Sequence, residues 1–339
     1  MATGLFDSLL TDAPFVVAEA VFADPKHRGF RLPPMARADL AGRRGMFLRQ
    51  RIRIHDARLR AQPPTLGREG FELLDSPIRL DFSDRELVGR CFPEQCADLV
   101  GAATGCREVR TVQYEFRTGA TGAESYAHTV HADVCPYVED VLQVPDGRHF
   151  AIFNVWRGTE PGQAIEDMPL ALCDARTVEA KDIVYADAWR RTQPRTRLVD
   201  CRLIHNTAQV WYCFPNLRPD EALIFRQYDT REEDAALRTT FHTAFADPGT
   251  PADAPRRRSV EARVLAVFPE RDEGRVGRKV RFRACVPKRR RDGSVSDWRH
   301  EEMPDWLGPP GKIPEAGAAG TSRQAAAFPA MGGRIGKNQ

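Results

Sequence analysis

The chain has 339 residues, of which 42% are hydrophobic and 29% are charged, and its net charge is +3 at pH 7. These proportions are typical of a soluble globular protein, and no apolar run approaches the roughly 18 residues that a membrane-spanning helix needs. The eight cysteines are scattered without a CxxC pair, which disfavours a zinc ribbon or a disulfide scaffold.

The first elements predicted along the chain are strands, and the segment before them does not resemble a secretory signal. Asp7, Asp12 and Glu19 fall where such a signal needs a basic start and an unbroken apolar run, so we expect an intracellular, cytoplasmic protein. The pattern then predicts a strand followed by a loop within residues 47–64, and a turn with a short strand within residues 67–77.

A helix is predicted next, over residues 83–105, and most of the chain after this helix is predicted to be β-structure. Ser83 and Glu86 have the spacing of a capping box at the start of this helix. Polar and apolar residues alternate over residues 112–117, as they do in a half-buried strand. Further strand-like runs lie at 126–134, 150–157, 169–173, 211–214, 221–229 and 259–268, and short helices are predicted at 137–143, 175–184 and 231–240.

Many strand-like runs with few long helices predict two antiparallel sheets that face each other. We therefore expect a mainly β fold with flanking helices (α+β), built on a double-stranded β-helix, or jelly-roll, core. The pattern predicts one domain over residues 1–308, with a core at about 107–286 and N-terminal helical and strand additions. Residues 309–339 are rich in Gly, Ala and Pro, which indicates a tail outside that domain.

Signatures of several common functional classes are missing. The chain has no GxGxxG, GxxxxGK[ST], GxSxG or HExxH motif, which disfavours dinucleotide-dependent dehydrogenases, nucleotide-dependent kinases, serine hydrolases and zincin proteases. Two basic runs lie at 255–259 and 287–293, and the second is interpreted as a solvated loop because no nucleic-acid-binding module accompanies it. No nucleic-acid partner is therefore expected, and a metal site is the strongest remaining candidate.

His131 and Asp133 form an HxD pattern within a strand-like run. Residues two apart on a strand share a face, so both side chains point the same way. An oxygen-activating mononuclear iron is held by two neutral imidazoles and one carboxylate, and its other positions stay open. His242 is the best candidate for the second imidazole, and His205, in an apolar strand-like run, is its rival.

The segment after the distal histidine contains a candidate anion site. Arg257 and Ser259 are two residues apart and share a strand face. A buried arginine beside a hydroxyl is a suitable fork for the free carboxylate of a keto acid. Arg263 lies on the same face and is the alternative fork. The order HxD, distal His, RxS predicts an oxygenase that uses Fe(II), 2-oxoglutarate and dioxygen.

A series of motifs in a fixed order is more specific than any one of these patterns. The motifs are IHDAR (54–58), REGFELLDSP (68–77), VHADVCP (130–136), FNVWRG (153–158), MPLALCDARTV (168–178), WYCFPNLRPDEALIFRQYDT (211–230), HTAFADPGTP (242–251) and RRRSVEAR (256–263). In this order they resemble the fungal and bacterial hydroxylase/desaturase family that includes AsaB-like proteins, the fungal gibberellin desaturase and CmcJ. The resemblance covers roughly residues 50–268.

The resemblance implies roles for the residues already singled out. The implied iron ligands are His131, Asp133 and His242, and the implied 2-oxoglutarate ligands are Arg257 and Ser259. This chain has Arg258 where the family usually has an acidic residue, and Val134 and Cys135 where it has a polar pair. The first departure leaves the carboxylate fork open among Arg257, Arg258 and Arg263.

The FNVWRG motif supplies candidates for the substrate pocket. Asn154 and Trp156 share one face of the strand, while Arg157 points the other way. Trp156 is equally compatible with a core position. A buried arginine has to be paired, so we expect Arg157 to clamp a carboxylate of substrate or cosubstrate, or to bond Asp174 or Asp229.

The sequence therefore predicts an oxidoreductase, an Fe(II)/2-oxoglutarate-dependent dioxygenase of secondary-metabolite biosynthesis. Its expected reaction oxidises an unactivated C–H bond of a small-molecule substrate, with hydroxylation, desaturation and oxidative ring formation left open. The alternatives are an iron oxygenase independent of 2-oxoglutarate and a non-catalytic β-barrel that binds a small molecule. No membrane partner is expected, and the oligomeric state is open, with a homodimer among the options.

Overall fold

The computed structural model describes seven stretches of the chain. They are residues 14–32, 45–120, 126–133, 148–189, 197–269, 283–289 and 295–302. Together they contain one α-helix, α1 (Arg85–Thr104), and sixteen strands. The strands are β1 (Phe15–Ala23), β2 (Phe30–Leu32), β3 (Phe47–Asp56), β4 (Phe71–Asp75), β5 (Glu108–Arg117), β6 (His131–Ala132), β7 (Phe150–Gly158), β8 (Leu170–Cys173), β9 (Ile183–Trp189), β10 (Arg197–Leu203), β11 (Trp211–Cys213), β12 (Glu221–Asp229), β13 (His242–Ala244), β14 (Ser259–Val267), β15 (Arg283–Arg289) and β16 (Val295–Glu302). Within these stretches, no helix has the length and apolar character needed to cross a bilayer.

The strands form a large sheet and a small sheet. The large sheet has the order β1-β3-β11-β8-β13-β6-β10-β9-β2-β15-β16, and the small sheet has the order β4-β12-β7-β14-β5. Parallel bridges from Val21 to Thr129 and from Ala23 to Ile204 bring the edge strand β1 back beside β6 and β10. The large sheet therefore curls into a nearly closed barrel.

Alternation along the strands of the small sheet sorts their side chains between two layers. On β7, Phe153 and Val155 point outward and pack against α1, while Trp156 points inward. The side of α1 that covers this sheet presents Val88, Phe92, Cys96 and Val100. Because these residues recur at every fourth position, they form one apolar stripe along the helix.

An inner apolar layer lies between the two sheets. Leu172 and Tyr212 come from the large sheet, and they pack with Trp156, Leu223 and Phe225 of the small sheet. The inward faces of β7, β12 and β14 therefore oppose the inward faces of β6, β8 and β13 across this layer. The candidate site lies in this layer.

The mainly β fold with two facing sheets is confirmed, and α1 forms within the helix predicted at residues 83–105. The predicted cap is wrong. Asp84 is the N-cap, and its Oδ1 accepts the backbone N–H groups of Glu86 and Leu87 at 3.1 and 2.9 Å. Ser83 instead donates to Oδ1 of Asp81 at 2.7 Å. An ionised carboxylate is a stronger acceptor for the helix N-terminus than a hydroxyl.

Two short predicted helices are wrong. Residues 175–184 form the 3-10 turns Ala175–Thr177 and Ala180–Asp182 and then enter β9, and residues 231–240 form turns. Segments this short do not hold an α-helix without extensive packing, and here they lead directly into or between paired strands. The helix predicted at 137–143 and the tail at 309–339 lie outside the described residues.

The single domain predicted over residues 1–308 stays a prediction, because its C-terminal boundary lies beyond the last described residue, Glu302. The sheets themselves begin earlier than the predicted core at 107–286. β1 and β3 belong to the large sheet and β4 to the small one. The N-terminal strands are therefore structural members of both sheets.

We predict that Gly70→Ala destabilises the fold next to the site. Gly70 has φ +93°, and a Cβ there would lie 2.5 Å from Oγ1 of Thr240, whose hydroxyl donates to the Gly70 carbonyl at 2.9 Å. A left-handed conformation and the overlap together cost about 2 kcal/mol or more. Thermal unfolding measures the loss, with Gly67→Ala as the control, since nothing lies within 4 Å of a Cβ at Gly67. Equal melting temperatures for the two variants would contradict the prediction.

Candidate metal centre

Strand pairing in the large sheet brings the predicted ligands together. His242 on β13 is the direct antiparallel partner of His131 on β6, so the two rings share a face, with centroids 4.3 Å apart. Asp133 follows β6, and its Oδ1 lies 3.5 Å from Nε2 of His131. One ligand atom from each of the three residues lies within 4.8 Å of the others. Within the described stretches, this is the group of histidine, cysteine and acidic side chains placed to hold a metal ion.

Backbone carbonyls orient both imidazoles. Nδ1 of His131 lies 2.8 Å from the carbonyl oxygen of Thr129, and Nδ1 of His242 lies 3.3 Å from that of Thr240. A carbonyl only accepts, so each Nδ1 carries the hydrogen and each Nε2 presents a lone pair. This is the tautomer that a metal-binding histidine needs, with its second nitrogen held by an outer partner.

The protonation states suit a cation. Burial, together with the neighbouring His131, lowers the pKa of His242 to about 3, so its imidazole is neutral at physiological pH. Burial alone would raise the pKa of Asp133, but Arg263, followed by His131 and His242, outweighs burial and holds that pKa well below its usual range. The cluster therefore offers two imidazole nitrogens, of which that of His242 is neutral, and an ionised oxygen ligand, the donor set of a two-histidine, one-carboxylate iron site.

Three strands of the small sheet hold Asp133 from the opposite side. Its Oδ2 accepts hydrogen bonds from Nη2 of Arg263 on β14 at 2.9 Å and from Nδ2 of Asn154 on β7 at 3.0 Å. Its backbone N–H donates to Oε1 of Gln227 on β12 at 2.8 Å. Sequence reasoning assigned Asn154 to the substrate pocket and missed Gln227. The available signal was an amide side chain that shares the alternation of Leu223 and Phe225 in the strand-like run at 221–229.

Arg257 and Ser259 present unused donors at the inner layer. The Arg257 guanidinium lies over the ring of Tyr126 at 4.0 Å and near that of Trp156 at 5.5 Å, and its Nη1 donates to the Met168 carbonyl. Burial lowers the pKa of Arg257 to about 10, which still leaves it charged at neutral pH. Nε of Arg257 and Oγ of Ser259 are buried and have no hydrogen-bond partner among the described residues.

The other two arginines of the predicted fork have partners elsewhere. The side chain of Arg258 is 58% exposed and pairs with Glu160 at 3.1 Å. Arg263 bonds Asp133 at 2.9 Å and lies 3.8 Å from Glu261. The geometry therefore favours Arg257 as the fork for an anion.

The predicted ion pairs of Arg157 with Asp174 or Asp229 are wrong. Its Nη2 donates to the carbonyls of Ser76 at 2.7 Å and Pro219 at 2.6 Å, on the face of β7 opposite Asn154. The predicted partners are engaged by neighbours in sequence, since Asp174 bonds Arg176 and Asp229 bonds Arg231. Because β7 alternates its faces, Arg157 points toward the α1 layer and away from the three-ligand cluster.

The rival histidine and the tryptophan have other surroundings. His205 packs edge-on against the ring of Phe22, with centroids 5.1 Å apart, and it is not part of the three-ligand cluster. Trp156 is buried between the two sheets and lies beside Arg257. This position is compatible both with a core residue and with a residue that lines the pocket. Val134 and Cys135 lie outside the described residues.

Comparisons with known proteins agree with this geometry. The family described as "YDMC: Oxidoreductase/YMDC permease-like domain" matches residues 34–268. The Fe(II)/2-oxoglutarate-dependent dioxygenase nvfI of Aspergillus novofumigatus is 30% identical over 237 residues, which is 63% of this chain and 82% of the relative. The hydroxylase/desaturase asaB of Aspergillus flavus is 28% identical over 160 residues, covering 42% of this chain and 68% of the relative.

A solved structure extends the likeness to the fold. The iron and alpha-ketoglutarate-dependent endoperoxidase NvfI superposes with a TM-score of 0.61 at 25% identity, covering 76% of this chain and 99% of that one. The jelly-roll fold and the resemblance to hydroxylases and desaturases, both expected from the sequence, are confirmed.

We predict that His131→Ala and His242→Ala each abolish tight metal binding, whereas His205→Ala does not. Loss of one of three ligands should cost more than the roughly 100-fold that removal of an outer partner costs. Titration with Co(II), followed by its visible absorption, measures the affinity of each variant. Tight binding that survives His242→Ala but not His205→Ala would identify the rival histidine as the ligand.

Proposed function

This chain belongs to the Fe(II)/2-oxoglutarate-dependent oxidoreductases, and we propose that His131, Asp133 and His242 bind the Fe(II) while Arg257 and Ser259 hold the 2-oxoglutarate. The observation that carries the proposal is the convergence of two imidazoles and one ionised carboxylate at the inner layer. These three side chains fit Fe(II), because the set leaves the other coordination positions free of protein ligands. When bound, Fe(II) and 2-oxoglutarate supply the activation of dioxygen for oxidation of a substrate.

Arg257 and Ser259 have the properties of a carboxylate fork. Both lie within the protein, and the Nε of Arg257 and Oγ of Ser259 are buried donors that lack partners among the described residues. A buried donor without a partner costs about 1–3 kcal/mol, and a carboxylate removes that cost for both groups. The rings of Tyr126 and Trp156 fix the plane of the guanidinium, so its orientation is set before the cosubstrate arrives.

The inner layer around the metal ligands favours a small, largely apolar substrate. The ring of Phe225 packs against His242 with centroids 4.8 Å apart, and Leu172 is the strand partner of His242 on the other side. Nε2 of Gln227 is buried without a partner in the described part of the chain, so it is available to an oxygen of a bound molecule. These walls exclude water and orient the substrate, which is the main task of the protein in this chemistry.

The relatives differ in the oxidation that their names state, so the class of product is part of the proposal. We expect oxidation of a C–H bond in a secondary metabolite, by hydroxylation, desaturation or ring formation. The experiment incubates the protein with Fe(II), 2-oxoglutarate and oxygen and measures succinate, first without substrate and then with candidate metabolites. Succinate formation that depends on Fe(II) supports the proposal. Oxygen uptake without succinate would support an iron oxygenase independent of 2-oxoglutarate, and no metal or 2-oxoglutarate binding would support a non-catalytic binding protein.

We predict that Arg257→Gln raises the KM for 2-oxoglutarate by about 10- to 100-fold, because hydrogen bonds to a charged group contribute about 1.5–3 kcal/mol. Substrate-free succinate formation at varied 2-oxoglutarate measures the change. Arg258→Gln is the matched control, since this neighbouring arginine points to solvent and pairs with Glu160. A larger effect of Arg258→Gln than of Arg257→Gln would overturn the assignment of the fork.

A further inference from the structure

We propose that Arg263 and Asn154 are positioning residues that make Asp133 bind the metal through a single oxygen, an inference that rests on the proposed function. The two residues are direct strand partners, since Arg263 on β14 pairs with Asn154 on β7 in the antiparallel register. Their side chains are therefore neighbours on the inner face of the small sheet. Their donors converge on the same atom, Oδ2 of Asp133.

The two donors give the two carboxylate oxygens of Asp133 different roles. Oδ2 accepts from Nη2 of Arg263 at 2.9 Å and from Nδ2 of Asn154 at 3.0 Å, while Oδ1 faces Nε2 of His131 at 3.5 Å. With both lone pairs of Oδ2 engaged, Oδ1 is the oxygen left for a cation beside the imidazoles. A carboxylate bound through one oxygen uses one coordination position, so a further position stays open for cosubstrate and dioxygen.

Asp133 needs these contacts because the strand that precedes it, β6, is too short to fix its position. β6 has two residues, His131 and Ala132, and Asp133 lies just past its end. Its backbone N–H is held by Gln227 of β12, so β12, β7 and β14, three adjacent strands of the small sheet, all contact this one residue. The carboxylate is thus fixed by the sheet that faces it across the inner layer, and Arg263 supplies the positive charge that its burial requires.

Arg263 has two other interpretations, and each makes a different prediction. Its Nε is buried without a partner among the described residues, which is the feature expected if Arg263 instead binds the cosubstrate. Its pairing with Asp133 and its proximity to Glu261 are also what a purely structural ion pair would show. A positioning role acts on metal affinity, a cosubstrate role acts on the KM for 2-oxoglutarate, and a structural role acts on stability alone.

The test compares Arg263→Gln, Arg263→Lys, Asn154→Ala and the control Arg157→Gln. Arg157 is also a buried arginine of the small sheet, but it donates to backbone carbonyls on the opposite face, so its loss should affect stability without affecting the metal. Each variant is titrated with Co(II) in the absence of 2-oxoglutarate. Thermal unfolding of the metal-free protein and the KM for 2-oxoglutarate are measured in parallel.

We expect Arg263→Gln to weaken Co(II) binding by about 10- to 100-fold, the range typical for loss of an outer partner of a metal ligand. Arg263→Lys, which keeps one charged donor, should recover part of the loss, and Arg157→Gln should bind Co(II) like the wild type. Should Arg263→Gln fail to fold, Asn154→Ala serves as the second variant, since it removes a neutral donor from the same oxygen, and it too should weaken binding.

Unchanged Co(II) affinity in both Arg263→Gln and Asn154→Ala would overturn the inference. Lower stability alone would then identify a structural ion pair, and a raised KM for 2-oxoglutarate would identify a cosubstrate fork. The failure of the proposed function has a separate signature, because in that case the wild-type protein itself binds no Co(II). That result would overturn both proposals together.

Discussion

The ion pair between Asp133 and Arg263 is the interaction on which this site depends. Asp133 directly follows β6 of the large sheet and Arg263 belongs to β14 of the small one, and their 2.9 Å contact joins the two sides across a layer of aromatic and aliphatic side chains. Moving a carboxylate out of water costs several kcal/mol unless a charge compensates it. Because Arg263 supplies that charge, Asp133 stays ionised beside two imidazoles that backbone carbonyls orient, and burial keeps the imidazole of His242 neutral.

The small sheet shows how a stable scaffold accommodates a reactive centre. Its outer face packs on α1 through apolar side chains, although Nε of Arg157 is also buried there without a partner, and several more buried polar groups at the inner layer have no partner in the described residues. Those groups are Nε of Arg257, Oγ of Ser259, Nε2 of Gln227 and Oδ1 of Asn154. Each such group costs stability unless it is paired, so the four groups at the inner layer are available to polar ligands.

Most of the site could be predicted because the information is local. The spacing of His131 and Asp133 fixes a shared face, and so does that of Arg257 and Ser259, since strand periodicity needs only the residues concerned. Predictions that depended on distant partners were less successful. Arg157 was expected to bond an acid, but Asp174 and Asp229 bind arginines two residues away, and the guanidinium instead reaches carbonyls of two loops. The short helices were wrong for the same reason, because the pairing of the strands that these segments join overrides a weak local preference.

The sequence by itself determined the mainly β fold and singled out His131, Asp133 and His242 as candidate metal ligands and three arginines as candidates for the carboxylate fork, because residue type and alternation are properties of single segments. Only the tertiary structure decided which partner each of the three arginines contacts. Arg257, Arg258 and Arg263 lie within seven residues, yet one stacks on Tyr126, one faces solvent and one holds Asp133. A strand's pattern gives the face of each side chain, but the register between strands decides what that side chain meets.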